Sequence, residues 1–246
     1  MILSTEADGN YPDILQSRFM RYFYPNGTSS NTPPSTWKRK QGLLYSYSAA
    51  TMGKQNNIDY NQGQVAGSTP GAKEVETVTG HIQGICPTGW HIPSDREWNI
   101  LEKELYNNPE KYSEYPNSSI FNPSKWLSTW ESMSAAAIRG SSGTKGHAYA
   151  MLSTCPAPGP SKSTNGQSLS STLGGFDALP IGYAHGGKEV DYGGGCYFWT
   201  SSSAGIDPQN PNILWSWDRI IVPDRAGVLR YTYTRSSLFS VRCKKD

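Results

Sequence analysis

Charge is scarce in this 246-residue chain: Asp, Glu, Lys and Arg make up 17% of it, and 22 basic residues nearly balance 20 acidic ones. With a net charge of +2 and no basic run longer than Lys38-Arg39-Lys40, nucleic-acid binding has little electrostatic support. Long apolar runs are missing too, and no stretch approaches the length of a membrane span. Neither a CxxC pair nor a Cys/His cluster at zinc spacing occurs, which argues against a structural metal site. No secretory leader is legible, because Met1-Ile2-Leu3 runs straight into a polar, turn-like stretch. That abrupt start reads as a mature form or an expressed fragment. Helix formers are sparse, whereas 25 Gly, 15 Tyr and 8 Trp mark a loop-rich β or α+β protein whose aromatics fill the core. The length suffices to bury a core. It fits one domain over 42–246, with 1–41 as an N-terminal extension or an edge of the same domain.

The information that is present concentrates between Cys86 and Glu104, in CPTGWHIPSDREWNILEKE. Trp90, His91 and Ile92 read as a short buried strand that Pro93 stops. Ser94 followed by Glu97 is a capping box, in which the Ser94 hydroxyl accepts the Glu97 amide and the Glu97 carboxylate reaches back to the Ser94 amide. Trp98, Leu101 and Leu105 recur at helical spacing, and Asn107-Asn108-Pro109 ends the helix. His91 alternates with core residues and is expected to be a hydrogen-bonded structural histidine.

Four cysteines, Cys86, Cys155, Cys196 and Cys243, allow three pairings. Cys86 precedes the first core strand and Cys243 lies in the last, FSVRC. If those strands are neighbours, a bridge ties the ends of the domain together, worth roughly 4–5 kcal/mol in the chain-entropy account. Buried free thiols are the alternative. Cys155–Cys196 follows by elimination, and two bridges imply an oxidising compartment.

Elsewhere, Phe19 to Tyr24 is a candidate edge strand. The run 42–52, GLLYSYSAATM, is a buried strand or a short helix, which periodicity does not separate. Residues 53–80 read as a surface loop. A second helix is expected from about Ser124 to Ile138, with Trp126, Trp130, Met133 and Ala137 on one face and Gly140 as its stop. The stretch 141–175 lacks periodicity, and a loop of that length usually carries function or is poorly ordered. FDALPIGYA, CYFWTSSS, NILWSWDRIIV, VLRYTYTR and FSVRC read as strands.

CPTGWHIPSDREW, QGLLYSYSAA, GGFDALPIGYA, FWTSSSA with its Trp199, and the terminal FSVRCKKD with its Arg242 together resemble the Fibrobacter succinogenes major paralogous domain family over roughly residues 40–246. The resemblance implies a secreted or lipid-anchored surface protein of gut or rumen bacteria of the Bacteroidetes–Fibrobacteres group. The layout is also similar to the C-type-lectin-like fold and to formylglycine-generating enzymes. The implied fold class is therefore α+β and C-type-lectin-like, with two helices, antiparallel strands and long irregular loops.

The resemblance to formylglycine-generating enzymes implies a reactive cysteine pair on the strand entering the C-terminal segment, and GVLRYTYTRSS has none. His81, His91, His147 and His185 sit in no nucleophile motif, so the expectation is a noncatalytic protein. Asn210-Pro211-Asn212 with Asp218 echoes a calcium-dependent lectin tripeptide, but the carboxylate before the proline is missing and the spacing is short; such a stretch is more often a turn. No cofactor is expected, with calcium left open. Trp215 and Trp217 share one side of a strand; they are candidate stacking surfaces, but core filler is the preferred reading, because loop-rich folds use tryptophan to fill space. Taken together these readings predict an extracellular recognition domain that adheres to a glycan or protein on a host, dietary or bacterial surface, one version being a fimbrial tip adhesin. A structural or assembly module partnered by fimbrial subunits is the second reading, and a formylglycine-generating-type enzyme the weakest.

Overall fold

The capped helix forms as its residues dictate. In the structure, a computed structural model that describes residues 2–3, 20–26, 33–53, 81–132, 137–154, 165–206, 209–210 and 213–246, the Ser94 Oγ accepts from the Glu97 amide at 3.1 Å. The Glu97 carboxylate accepts from the Ser94 amide at 2.9 Å. The helix runs Asp95–Asn107 and buries Trp98 and Leu105. In chain order the described elements are β1 (Ile2–Leu3), β2 (Arg21–Phe23), β3 (Leu44–Ser46), α1 (Tyr47–Ala50), β4 (Trp90–His91), α2 (Asp95–Asn107), β5 (Ala137–Arg139) and α3 (His147–Met151). They continue with β6 (Tyr183–His185), β7 (Lys188–Val190), β8 (Cys196–Ile206), β9 (Leu214–Ile221), β10 (Val228–Thr234), β11 (Leu238–Phe239) and β12 (Lys244–Lys245). The class is α+β, with mostly antiparallel pairing.

Three sheets result, ordered β1-β2-β3-β11-β6-β7, β5-β10-β9-β8 and β12-β4. The ambiguous run 42–52 is both things in turn, β3 and then α1, because the Ser46 hydroxyl ends the strand and caps the helix. The candidate edge strand at Phe19–Tyr24 is β2, which buries Phe23 and lies inside the sheet between β1 and β3; Phe19 lies outside the described residues. The expected strand FSVRC is not one, since only Phe239 of it lies in a strand; β12 just beyond it pairs with β4, and Cys86 is bonded to Cys243 with Cα atoms 5.7 Å apart. Closing a loop of that span is worth about 4–5 kcal/mol in the chain-entropy account. The second expected pairing is corrected: Cys196 is a free thiol at 1% exposure, where it packs among Trp98, Phe176 and Phe198. Cys155 lies outside the described residues. Trp90 is a further correction, since it is 39% exposed while His91 and Ile92 are buried.

Among the described residues of the second expected helix, no α-helix forms. Residues 128–132 form a 3-10 turn, and Ala137–Arg139 is a strand paired with β10. Trp126 and Trp130 still share a face, packed edge-on at 5.0 Å and both against Tyr106. Met133 lies outside the described residues. Gly140, expected as a helix stop, instead has φ +105, and a Cβ there would sit 2.4 Å from the His147 ring. The helix that does form nearby, α3, falls inside the stretch expected to be a loop; its side chains are buried throughout. Burial on every side leaves no amphipathic period to read.

What draws Arg139 into a strand is charge. Asp95 and Glu102 on α2 project into the four-stranded sheet, where Arg139, Arg219 and Arg230 meet them with every charged side chain fully buried. Arg219 Nε donates to Glu102 at 2.6 Å and its Nη2 to the Asp95 carbonyl at 2.9 Å. Arg230 Nε donates to both Asp95 oxygens at 3.1 Å, and Arg139 Nη1 to Asn99 at 2.7 Å. Burial pushes the Glu102 carboxyl up, but Arg139 and Arg219, helped by His147, outweigh it and hold the pKa at about 2. Asp95 is held well below the carboxylate range against its burial by Arg219 and Arg230.

Removing one partner of such a cluster strands buried charge. Asp95→Ala is expected to cost about 3–5 kcal/mol in urea unfolding. Breaking the exposed Lys103–Glu131 pair, 3.0 Å apart, with Lys103→Ala should cost under about 1 kcal/mol. Folded Glu102 binds its proton more weakly than the unfolded value of 4.5. Its contribution is therefore full above that pH and lost as pH falls toward about 2. The melting temperature should drop across this acid window, and Glu102→Gln, although less stable at neutral pH, should show a shallower drop.

Candidate functional site

The residues expected to bind ligand do not converge. Trp217 is 1% exposed and carries the Arg230 guanidinium 3.6 Å above its ring. Asp218 is fully buried, and among the described residues neither carboxylate oxygen has a hydrogen-bond partner. Burial, opposed by Arg219 and reinforced by Asp95, pushes its pKa well above the usual range. Neither side chain offers a surface to a ligand, which corrects the expected set. The reason is that β9 is a central strand, covered on both faces. Trp215 is half-buried, Asn210 is exposed, and Asn212 lies outside the described residues.

The expected structural residues are placed as follows. His91 Nε2 lies 3.0 Å from Glu97 Oε1, and its Nδ1 lies 2.5 Å from Asp246 Oδ1. Burial opposes ionisation of Glu97, but Lys244, the Ser94 amide and His91 together hold its carboxyl below the ordinary range. Pro93 is buried, and its carbonyl accepts the Ser201 amide at 2.9 Å. Trp98 packs against Phe176 and Phe198. Trp199 stacks on Phe239 at 4.3 Å and donates its indole N–H to the Tyr45 carbonyl. The Arg242 guanidinium lies 4.5 Å over Phe176.

A surface cleft of about 540 Å³ opens where the turn after β7, the start of β8 and the β9–β10 turn meet. Its floor is apolar, from Ile220, Val222 and Leu229, and its rim is polar, from Asn165, Asp191, Asp224 and Arg225. Tyr197 stands in the wall and donates its hydroxyl to Asp191 Oδ2 at 3.0 Å. Burial, helped by Asp191, raises the Tyr197 pKa and keeps it a donor. Asp191 holds φ +60, a conformation that costs energy for a non-glycine residue. Asn165 donates to the Pro223 carbonyl at 3.0 Å and so is itself tied to the β9–β10 turn. An apolar and aromatic floor beneath a rim of carboxylates, an amide and a guanidinium suits a small polar ligand with one apolar face.

None of these rim residues was legible as a site in the sequence. Asp191 and Asp224 stand in Val-Asp-Tyr-Gly-Gly and Pro-Asp-Arg-Ala-Gly, which read as turns. The available signal was the pair of glycine-flanked acidic turns on either side of a strand pair, which a hairpin register would bring to one end.

These features define an α+β domain with a disulfide-closed scaffold and an open polar-rimmed cleft. The sequence profile of the Fibrobacter succinogenes major domain matches residues 4–245, and the chain belongs to that family. Neither a curated protein nor a solved structure matches it.

The cleft wall can be probed at Gly195, where a Cβ would lie 2.8 Å from the Tyr197 ring and 2.9 Å from Asp191 Oδ2. Gly195→Ala is expected to cost about 1–3 kcal/mol in urea unfolding, because a packed wall must yield. A change under about 0.5 kcal/mol would mean that the wall is loose.

Proposed function

We propose that this domain is a noncatalytic recognition module displayed outside the cell on a bacterial surface, and that it binds a glycan in the Asp191–Asp224 cleft. The carrying observation is the cleft itself, whose apolar floor takes the face of a sugar ring while the rim meets its hydroxyls. A C-type-lectin-like arrangement is part of this reading. The pairing of β12 with β4 and the Cys86–Cys243 bridge support it, because they close the span between residues 86 and 243 on itself and leave its connecting segments for a ligand. The same bridge supports an oxidising compartment.

Two observations favour binding over turnover. The cleft lining contains neither histidine nor cysteine among the described residues. His91 is held between two carboxylates and His147 is fully buried against Glu102, so neither reaches the cleft. In this role the domain stands as an adhesin, for example at the tip of a surface fimbria.

A glycan array, run with and without chelator, tests the reading. Binding to at least one glycan class should survive the chelator. Arg225→Ala and Asp224→Asn, both at exposed positions, should weaken it at least about tenfold without moving the melting temperature. Silence across all glycans, with another surface subunit co-purifying, would replace adhesion by the assembly role.

A further inference from the structure

Away from the cleft, the stretch 81–97 and the distant Asp246 bring two imidazoles between two carboxylates. An antiparallel bridge joins Ile82 to Ile92, with the Ile92 amide on the Ile82 carbonyl at 2.9 Å. That bridge carries His81 over His91, and the two rings stack at 3.9 Å with 18° between their planes. Both Nε2 atoms face Glu97 Oε1, His91 at 3.0 Å and His81 at 4.0 Å. Both Nδ1 atoms face Asp246 Oδ1, His91 at 2.5 Å and His81 at 3.7 Å. Glu97 is fixed by the first turn of α2, and Asp246 by its amide on the Gly89 carbonyl at 3.0 Å.

We propose that His81 Nε2, His91 Nε2 and Glu97 Oε1 form a binding site for a divalent transition-metal ion of the zinc class, with Asp246 orienting the two imidazoles from behind. One ligand atom from each of the three residues lies within 4.8 Å of the others. A tetrahedral ion with bonds of about 2.0–2.1 Å separates its ligand atoms by about 3.3 Å, so the exposed His81 ring must turn out of its stack on His91 and approach Glu97, now 4.0 Å away, by a little under an ångström to close the set. A carboxylate on the far nitrogen fixes which nitrogen is free to ligate, the usual support for a metal-bound histidine. Two imidazoles and one carboxylate select zinc, cobalt, nickel or copper over calcium or magnesium. Three protein ligands leave a fourth position for water or an external group.

The site already holds a positive charge. The Lys244 ammonium lies 2.6 Å from Glu97 Oε1, on a side chain 51% exposed. An arriving ion replaces it and delivers a second positive charge to the same oxygen, while Lys244 swings into solvent. The His81 side chain, 42% exposed, leaves the way in open. Trp90, exposed next to His91, stands on the same strand.

The test is calorimetric titration of Zn²⁺ into the tag-free chain in a non-chelating buffer, with Co²⁺ absorption as a readout of geometry. One ion should bind per chain, with visible Co²⁺ bands of tetrahedral intensity. His81→Ala, at an exposed position that does not threaten folding, should weaken binding at least about tenfold and abolish those bands. Asp246→Asn should weaken it about 10–100-fold. Lys244→Met should tighten it by removing the competing ammonium. Absence of binding, or binding that His81→Ala leaves unchanged, overturns the proposal.

Discussion

Everything in this fold is arranged around a buried guanidinium–carboxylate cluster. Asp95 and Glu102, two turns apart on one helix, are each held by guanidinium groups from a strand pair more than a hundred residues downstream. Arg139 adds a third arm from β5, the edge strand beside β10 in the same sheet. Charges without solvent do not slide, since any displacement leaves an ion unmatched at a cost of several kcal/mol. The cluster therefore sets the position of α2 on the sheet, and α2 in turn sets where its first turn presents Glu97. His147 sits against Glu102 in the same cluster, and burial followed by Arg139 lowers its pKa against the pull of Glu102.

A second set of contacts welds the helix start to β8. The Ser202 hydroxyl accepts the Asp95 amide at 3.0 Å, and the Ser201 carbonyl accepts the Tyr47 hydroxyl at 2.7 Å. The serine run of FWTSSS is thus a polar lining for backbone groups that would otherwise be buried without partners. The disulfide and the β12–β4 pair tie the C-terminal segment to residues 86–91. A scaffold held this way presents its turns rigidly, which is what preorganised recognition needs. Both the polar-rimmed cleft and the histidine pair are built from such turns and strand ends.

Legibility in the sequence followed locality. The capping box, the helix it starts and the helix stop at Asn107-Asn108-Pro109 are short-range events, and they appear where the residue pattern puts them. The strands β8, β9 and β10 were likewise readable from alternation and aromatic content. The Cys86–Cys243 pair was approachable because each cysteine stands beside a strand. The pattern misled at Ser124–Ile138, where Trp126 and Trp130 keep a helical spacing without a helix, because Arg139 is needed in a strand to meet Glu102. Trp217 is core filler, the second of the two readings its strand offered, and Asp218 lies beside it on a strand covered from both sides. The cleft rim was invisible, since Asp191 and Asp224 are ordinary turn residues until the register of β8, β9 and β10 carries them to one end.

By itself, then, the sequence determined the elements whose causes lie within a few residues: caps, turns, alternating strands and the α+β class, together with membership of a recognisable family. The tertiary structure alone decided which charges meet, which aromatics are covered, that Cys196 stays a thiol, and that His81 comes to rest on His91. The physical reason is that burial, ion pairing and metal-compatible geometry depend on partners from distant segments. Residue spacing carries no record of those partners until the chain has folded.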